Sequence, residues 1–78
     1  MHFKFKRHQK VRVLNSPNKE YIEYSPSIDE ANQPPIKKGT IGTINMILSN
    51  GQYHVELFNE KNELIAYALF SEEELEEA

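Results

Sequence analysis

The residue types that most often carry out catalysis are few in this chain. Its three histidines are His2, His8 and His54, and no two of them have the spacing that metal ligands take on one helix. The chain has no cysteine, which excludes disulfides, thiolate metal sites and cysteine nucleophiles. No short motif places a serine beside a histidine. We therefore expect a protein that is not an enzyme and that uses no cofactor or metal.

The acidic and glycine-containing segments also lack the patterns of known ligand sites. The glutamates between residues 72 and 77 are nearly continuous, whereas a calcium loop spaces its oxygen ligands around one ion. Gly39 directly precedes a predicted strand and Gly42 lies near its start, whereas a phosphate-binding loop leads into a helix. We assign both glycines to the fold, Gly39 to a turn with positive φ and Gly42 to a close approach of backbones.

A segment rich in tyrosine and glutamate offers contacts for another protein. Glu20, Tyr21, Glu23 and Tyr24 place aromatic rings next to carboxylates in a predicted loop, and loops carry binding residues more often than strands do. This chemistry resembles that of SH3 domains, which bind proline-rich basic peptides in aromatic grooves. Such domains normally rely on a tryptophan, and the chain has none. We predict that these residues bind a protein partner by a more general kind of contact.

Basic residues provide an alternative. They crowd the first dozen positions, where Phe3 and Phe5 alternate with them, and a pair follows later in the chain. Exposed aromatic rings can stack on bases while cations contact phosphates. The candidate nucleic-acid-binding residues are Lys4, Lys6, Arg7, Lys10, Arg12, Lys37 and Lys38. The formal net charge of −3 argues against this alternative, because nucleic-acid-binding domains are usually strongly basic.

The charge is unevenly distributed between the two ends of the chain. The first dozen residues are basic, whereas glutamates dominate residues 72–77. One interpretation is that the two solvated ends attract each other weakly in the folded protein. The other is that the basic end forms a patch for an anionic partner. The sequence leaves both open.

Four segments have the patterns of β-strands. Residues 9–14, 40–48 and 53–57 alternate polar and apolar side chains, and the last two are joined by Asn50-Gly51, a strong hairpin signal. In the second of these segments we expect Ile44, Met46 and Leu48 to share one face. Residues 63–70 form an apolar run that we interpret as a strand buried on both faces, although a helix has similar propensity there. We expect the following side chains to be buried: Val11, Val13, Ile44, Val55, Leu57 and Leu75.

The remaining segments connect or end these strands. Residues 15–35 contain all four prolines, so we predict one long irregular loop there. Ser71 with Glu74 forms a capping box, which predicts a short C-terminal helical turn. No segment has the pattern of a signal peptide or a membrane span, and the lack of cysteine favours a reducing compartment. We expect one domain over residues 1–78 in a cytoplasmic protein with no membrane contact, and its oligomeric state stays open.

Several stretches resemble a known group of folds. Residues 36–44 (IKKGTIGTI) resemble the glycine-punctuated strand of KOW-type and related SH3-like domains, and residues 11–14, 53–57 and 69–75 are similar to other parts of those domains. The whole pattern is most similar to small bacterial and phage SH3-like barrel proteins of unassigned function. This resemblance implies a mainly β fold, a small SH3-like barrel of four to five antiparallel strands with one long loop.

The function expected from these observations is a non-catalytic interaction or accessory module that binds another protein. The alternative is a nucleic-acid-binding or ribosome-associated KOW-like accessory domain that uses the basic N-terminal face. The two differ in where the basic side chains lie, because the alternative requires them to form one contiguous patch.

Overall fold

The chain folds into one antiparallel sheet. The computed structural model describes residues 3–78. Its strands are β1 (Lys10–Val13), β2 (Ile22–Tyr24), β3 (Ile41–Ile47), β4 (Tyr53–Phe58), β5 (Leu64–Phe70) and β6 (Leu75–Glu77). The six strands pair in the order β2-β5-β4-β3-β1-β6, so that β2 and β6 form the two edges. Among the described residues the only helical elements are 3₁₀ turns, at Lys19–Tyr21, Glu30–Asn32 and Glu72–Glu74.

The four predicted strands are confirmed as β1, β3, β4 and β5, and with them the mainly β class. The apolar run that became β5 is a strand because it follows a tight turn and pairs with both β4 and β2. It is not buried on both faces, however. Tyr67 and Leu69 are only half-buried, since they lie on the opposite face from Ala66, Ala68 and Phe70.

The number of strands is six, more than the four to five expected. The segment 15–35 is also less irregular than predicted, because it contains β2 and two of the 3₁₀ turns. Ile22 and Tyr24 pack partly against the core while Glu23 between them is exposed, which is the alternation of a strand with one buried face. The other additional strand, β6, follows the C-terminal turn and carries the buried Leu75.

The core lies on one face of the sheet. Val11, Val13, Ile44, Val55, Leu57 and Leu75 are all fully buried, as predicted. Phe5, which precedes β1, packs edge-to-face on Tyr53 with ring centroids 5.4 Å apart. Phe3, by contrast, is 44% exposed and does not join this core. Ile28 and Ile36 of the long connection between β2 and β3 cover the remaining part of the core.

A β-bulge in β3 changes which side chains face the core. The pairing of β3 with β4 shifts register between Ile44 and Met46, which leaves Asn45 as an extra residue. Because one extra residue reverses the alternation, Met46 is 51% exposed and Ile47 packs against the core instead. The expectation that Ile44, Met46 and Leu48 share one face was therefore wrong for Met46.

Both glycine assignments are confirmed. Gly39 has φ of +94° in the turn before β3, a conformation that favours glycine. Gly42 is in β3, where an added Cβ would lie 2.6 Å from a Val55 methyl carbon and 2.8 Å from the Glu56 carbonyl oxygen. The predicted helical turn is also present, with the Glu74 carboxylate accepting a hydrogen bond from the Ser71 N–H at 2.9 Å.

Candidate functional site

An open groove lies on the outer face of the sheet, where β2, β5 and β4 are neighbours. Its volume is about 290 Å³. Its surface is formed by Tyr21, Ile22, His54, Tyr67, Ala68 and Leu69, with Glu20 and Glu23 contributing carboxylates. We call this surface the aromatic groove. It contains three of the four predicted partner-binding residues, namely Glu20, Tyr21 and Glu23.

Strand register builds the central part of this surface. Glu23 of β2 pairs with Tyr67 of β5, and Tyr67 pairs in turn with Glu56 of β4. Directly paired residues of antiparallel strands share a face, with Cβ atoms about 5 Å apart. Glu23, Tyr67 and Glu56 therefore form a line across three strands, in which one aromatic ring has a carboxylate on either side. We call this line the acid–aromatic row.

A second line of side chains runs beside the first and is largely apolar. Met46 of β3 pairs with His54 of β4, and His54 pairs with Leu69 of β5. The imidazole of His54 stacks on the ring of Tyr67, with centroids 5.2 Å apart and planes inclined by 21°. The Asn45 side-chain nitrogen lies 3.0 Å from Nδ1 of His54, so the β3 bulge also helps to orient this ring.

Tyr21 is the most exposed aromatic side chain of the groove. It is 58% exposed and ends the 3₁₀ turn at Lys19–Tyr21. Asn18 holds this turn in place, because its Oδ1 accepts from the Glu20 N–H at 3.1 Å and its carbonyl accepts from the Tyr21 N–H at 2.9 Å. A large ring on a short, capped turn is presented to solvent with little freedom left in the backbone.

The fourth predicted partner-binding residue, Tyr24, lies elsewhere. Its side chain is on the core side of β2, like that of Ile22, and is half-buried there. The hydroxyl of Tyr24 donates a 2.6 Å hydrogen bond to the carbonyl of Pro34. Tyr24 therefore attaches the long connection between β2 and β3 to the sheet, and it does not line the aromatic groove.

The candidate nucleic-acid-binding residues are distributed along the β1 and β3 side of the sheet. Arg7 donates through Nε to the carbonyl of Asn45 at 3.1 Å, near the C-terminal end of β3. Lys10 is paired with Thr43, and Arg12 with Ile41. Lys37 and Lys38 lie past the other end of β3, in a separate groove of about 460 Å³ with Phe58 and Glu60. These cations follow the length of β1 and do not collect at one end of the sheet. Lys6 is exposed on the turn before β1.

The acidic C-terminal segment lies beside several of these cations. Strand β6 pairs with β1, and the Arg12 guanidinium forms a 2.9 Å ion pair with the Glu76 carboxylate. The pKa of the Glu73 carboxyl is lowered, chiefly by a backbone hydrogen bond at Glu73, then by the Ser71 hydroxyl and least by the charge of Lys4. The Gln9 amide also donates to the Glu77 carboxylate, at 3.2 Å. The attraction between the two ends of the chain is thus built into the fold as a strand pairing.

Within residues 3–78, no group of three or more histidine, aspartate or glutamate side chains is arranged to hold a metal ion. His2 lies outside the described residues. His8 has a positive φ of 71° in the turn before β1, whereas His54 is on the outer face of β4. None of the 3₁₀ turns in the described part of the chain is long or apolar enough to cross a membrane.

Comparisons with known proteins leave the site to be judged on its own geometry. A scan against protein-family models, a search of curated proteins and a search of solved structures each returned no match to this chain.

His54, Tyr67 and Leu69 are groove residues that sequence reasoning did not select. From the sequence, His54 was considered only as a possible metal ligand, and Tyr67 was placed in a strand buried on both faces. The alternation of residues 53–57 already puts His54 on the outer face. That Tyr67 joins it there depends on the register between β4 and β5, which no local pattern in the sequence specifies.

Proposed function

We propose that this protein is a non-catalytic module that binds another protein through the aromatic groove. The observation that supports the proposal most directly is the composition of this surface, in which Tyr21, Tyr67 and His54 lie together beside exposed Met46. Aromatic residues and methionine are enriched at protein interfaces, and tyrosine provides a large contact area with few rotatable bonds. The groove is also shallow and open, as expected for a surface that accepts a side chain or short segment of a larger molecule.

The placement of the basic residues favours this function over nucleic-acid binding. Arg12 is paired with Glu76, and the glutamates of β6 run alongside β1. A phosphate backbone approaching β1 would therefore meet carboxylates together with the cations, which weakens the electrostatic attraction on which such binding depends.

We also propose that the sheet curves into an SH3-like barrel. Most of one face of the sheet is buried, and within residues 3–78 no α-helix is present to cover it. A sheet of this kind buries its apolar face by coiling over itself, with the help of a β-bulge and a glycine such as Gly42. This proposal is tested by measuring backbone contacts between distant strands by NMR.

The function is tested by comparative capture from native lysate. The wild-type chain, a Tyr21→Ala variant and a Lys38→Ala variant are used as baits, each with and without nuclease treatment. We expect a set of proteins that binds the wild type and Lys38→Ala, is lost with Tyr21→Ala, and is unaffected by nuclease. Lys38 is a suitable control because it is exposed on the separate groove beside Phe58.

Direct titration distinguishes the nucleic-acid alternative. Single-stranded RNA and duplex DNA are added at about 50 and 200 mM salt, a range over which phosphate contacts weaken strongly. We expect no tight binding at either concentration. Tight binding at the lower one that is abolished by charge reversal at Lys4, Lys6, Arg7 and Lys10, yet unchanged in Tyr21→Ala, would instead establish the nucleic-acid function.

A further inference from the structure

The carboxylates of the aromatic groove and of the acid–aromatic row form no ion pairs among the described residues. Among residues 3–78 the only ion pair within 4 Å is that between Arg12 and Glu76, so Glu20, Glu23 and Glu56 make none. When the acid–aromatic row is continued past Glu56, the next residue is Thr43 of β3, and Lys10 of β1 follows it. Lys10 and Glu56 are two strand spacings apart, about 10 Å, and their charged groups form no ion pair within 4 Å. Lys19 lines a neighbouring groove that also includes Glu23, but the two side chains form no ion pair within 4 Å.

The rings between these carboxylates provide the complementary part of a cation site. The faces of tyrosine rings attract cations, and the attraction increases when water is excluded. Tyr67 has a carboxylate-bearing residue on each side, and Tyr21 and Glu20 are adjacent on the capped turn. Arginine suits this arrangement better than lysine, because its planar guanidinium stacks on a ring while its N–H groups donate to carboxylates in the same plane.

We propose that the aromatic groove binds an exposed segment of a partner protein that presents an arginine side chain. The guanidinium stacks on the face of the Tyr67 ring that His54 does not cover, and it donates to the Glu23 carboxylate. This inference rests on the proposed function and specifies the chemistry of its partner. The apolar line of Met46, His54 and Leu69 then contacts the residues that flank the arginine. No proline is required in the segment, because the chain has no tryptophan of the kind that normally lines a polyproline-binding groove.

The acidic C-terminal segment is the competing site for any basic peptide, and its structure predicts that it binds more weakly. Its glutamates are on an edge strand and a 3₁₀ turn, and Glu76 is already paired with Arg12. None of the three grooves described above includes any of residues 72–77. Attraction to this segment would be a general electrostatic effect that salt screens.

The experiment uses the full chain labelled with ¹⁵N and a blocked octapeptide of alternating alanine and arginine. Matched peptides replace every arginine by lysine or by glutamate. We expect the arginine peptide to shift the amide signals of Tyr21, Glu23, His54 and Tyr67, with smaller effects over residues 72–77. The lysine peptide should bind about threefold more weakly, and the glutamate peptide should produce no shifts in the groove.

Paired variants separate the groove from the general charge of the protein. Glu23→Lys and Glu72→Lys change the net charge equally, and both residues are exposed. We expect Glu23→Lys to weaken binding about tenfold and Glu72→Lys to change it less than twofold. Tyr21→Ala should weaken it about threefold, the size of effect expected if a second arginine of the peptide makes a cation–π contact with Tyr21. Because Tyr21 lies on a turn outside the sheet, this variant tests the groove without disturbing the core.

Three results would overturn the inference. The first is that the arginine peptide shifts the amide signals of residues 72–77 alone, or that Glu23→Lys and Glu72→Lys weaken its binding equally. The second is that none of the peptides binds at millimolar concentration. The third is that the amide signals of the groove shift with protein concentration when no peptide is present, and that charge reversal at Lys4, Lys6 and Arg7 removes these shifts. The occupant of the groove would then be a second copy of this chain. In the first two cases the capture experiment with Tyr21→Ala still decides whether the groove binds proteins.

Discussion

On the β1–β6 side of the sheet, basic and acidic side chains contact each other. On the β2–β5–β4 side, carboxylates lie beside aromatic rings and form no ion pair with any of residues 3–78. The first side joins the two ends of the chain through a strand pairing, the Arg12–Glu76 ion pair and the buried Leu75. The second side leaves Tyr21 and Met46 more than half exposed. The difference indicates that the charged side chains on the β1–β6 side stabilise the fold, whereas the carboxylates and rings on the other side are free to contact a partner. If this is correct, substitutions on the first side alter stability and those on the second alter binding.

The largest expected effect is that of Leu75→Ala. Leu75 is fully buried and is the only core residue of β6. Removing most of its side chain should lower the free energy of unfolding by about 3 kcal/mol, from lost apolar burial and the cavity left behind. Urea denaturation measures the change, and circular dichroism before the transition shows whether the sheet remains. A loss below about 1 kcal/mol would mean that β6 is not an integral part of the fold.

Gly42→Val should destabilise the protein by about 2 kcal/mol. The position lies on the core side of β3, between the two regions compared above, and an added Cβ would come within 2.8 Å of the backbone oxygen of Glu56. Such a contact forces the strands apart. Gly39→Ala is the control, since an added Cβ there has no atom within 4 Å and only the positive φ opposes it. We expect the control to cost about 1 kcal/mol. Equal denaturant midpoints for Gly42→Val and the wild type would refute the close approach.

Arg12→Ala and Glu76→Ala test the paired charges themselves. Both side chains are more than 40% exposed, so their ion pair should contribute no more than about 0.5 kcal/mol. A double-mutant cycle in denaturant isolates this contribution, and repeating it in about 1 M salt should remove most of it. A coupling energy above about 2 kcal/mol would show that the charges, and not Leu75, hold β6 against β1.

Tyr21→Ala should have the smallest effect on stability, less than about 0.5 kcal/mol, because its side chain is largely in solvent. The same substitution is expected to remove proteins captured through the aromatic groove. Thermal unfolding of the variant provides the comparison with the wild type. A large loss of stability would reverse the contrast between the two sides, since it would make Tyr21 part of the structure that holds β2 in place.

The central part of the fold could be predicted from local patterns. Alternation identified β1, β3 and β4, the Asn50-Gly51 turn placed the hairpin, and Ser71 with Glu74 marked the C-terminal turn. The two edge strands were missed because each has three residues, too few for a periodic signal, and each forms only by pairing with a distant part of the chain. For the site, the segment 20–24 was selected correctly as a source of groove residues, but not the separation of Tyr21 from Tyr24.

Residue types and their order thus determined the strands that have an apolar side, the turns that join them and the supply of aromatic and acidic side chains. The tertiary structure alone decided which of these side chains share a surface. The bulge at Asn45 turned Met46 outward, the pairing of β2 with β5 put Glu23 beside Tyr67, and the pairing of β6 with β1 brought Glu76 to Arg12. The physical reason is that strand register is set by burial summed over the whole sheet, so a shift of one residue moves every side chain of a strand to the other face.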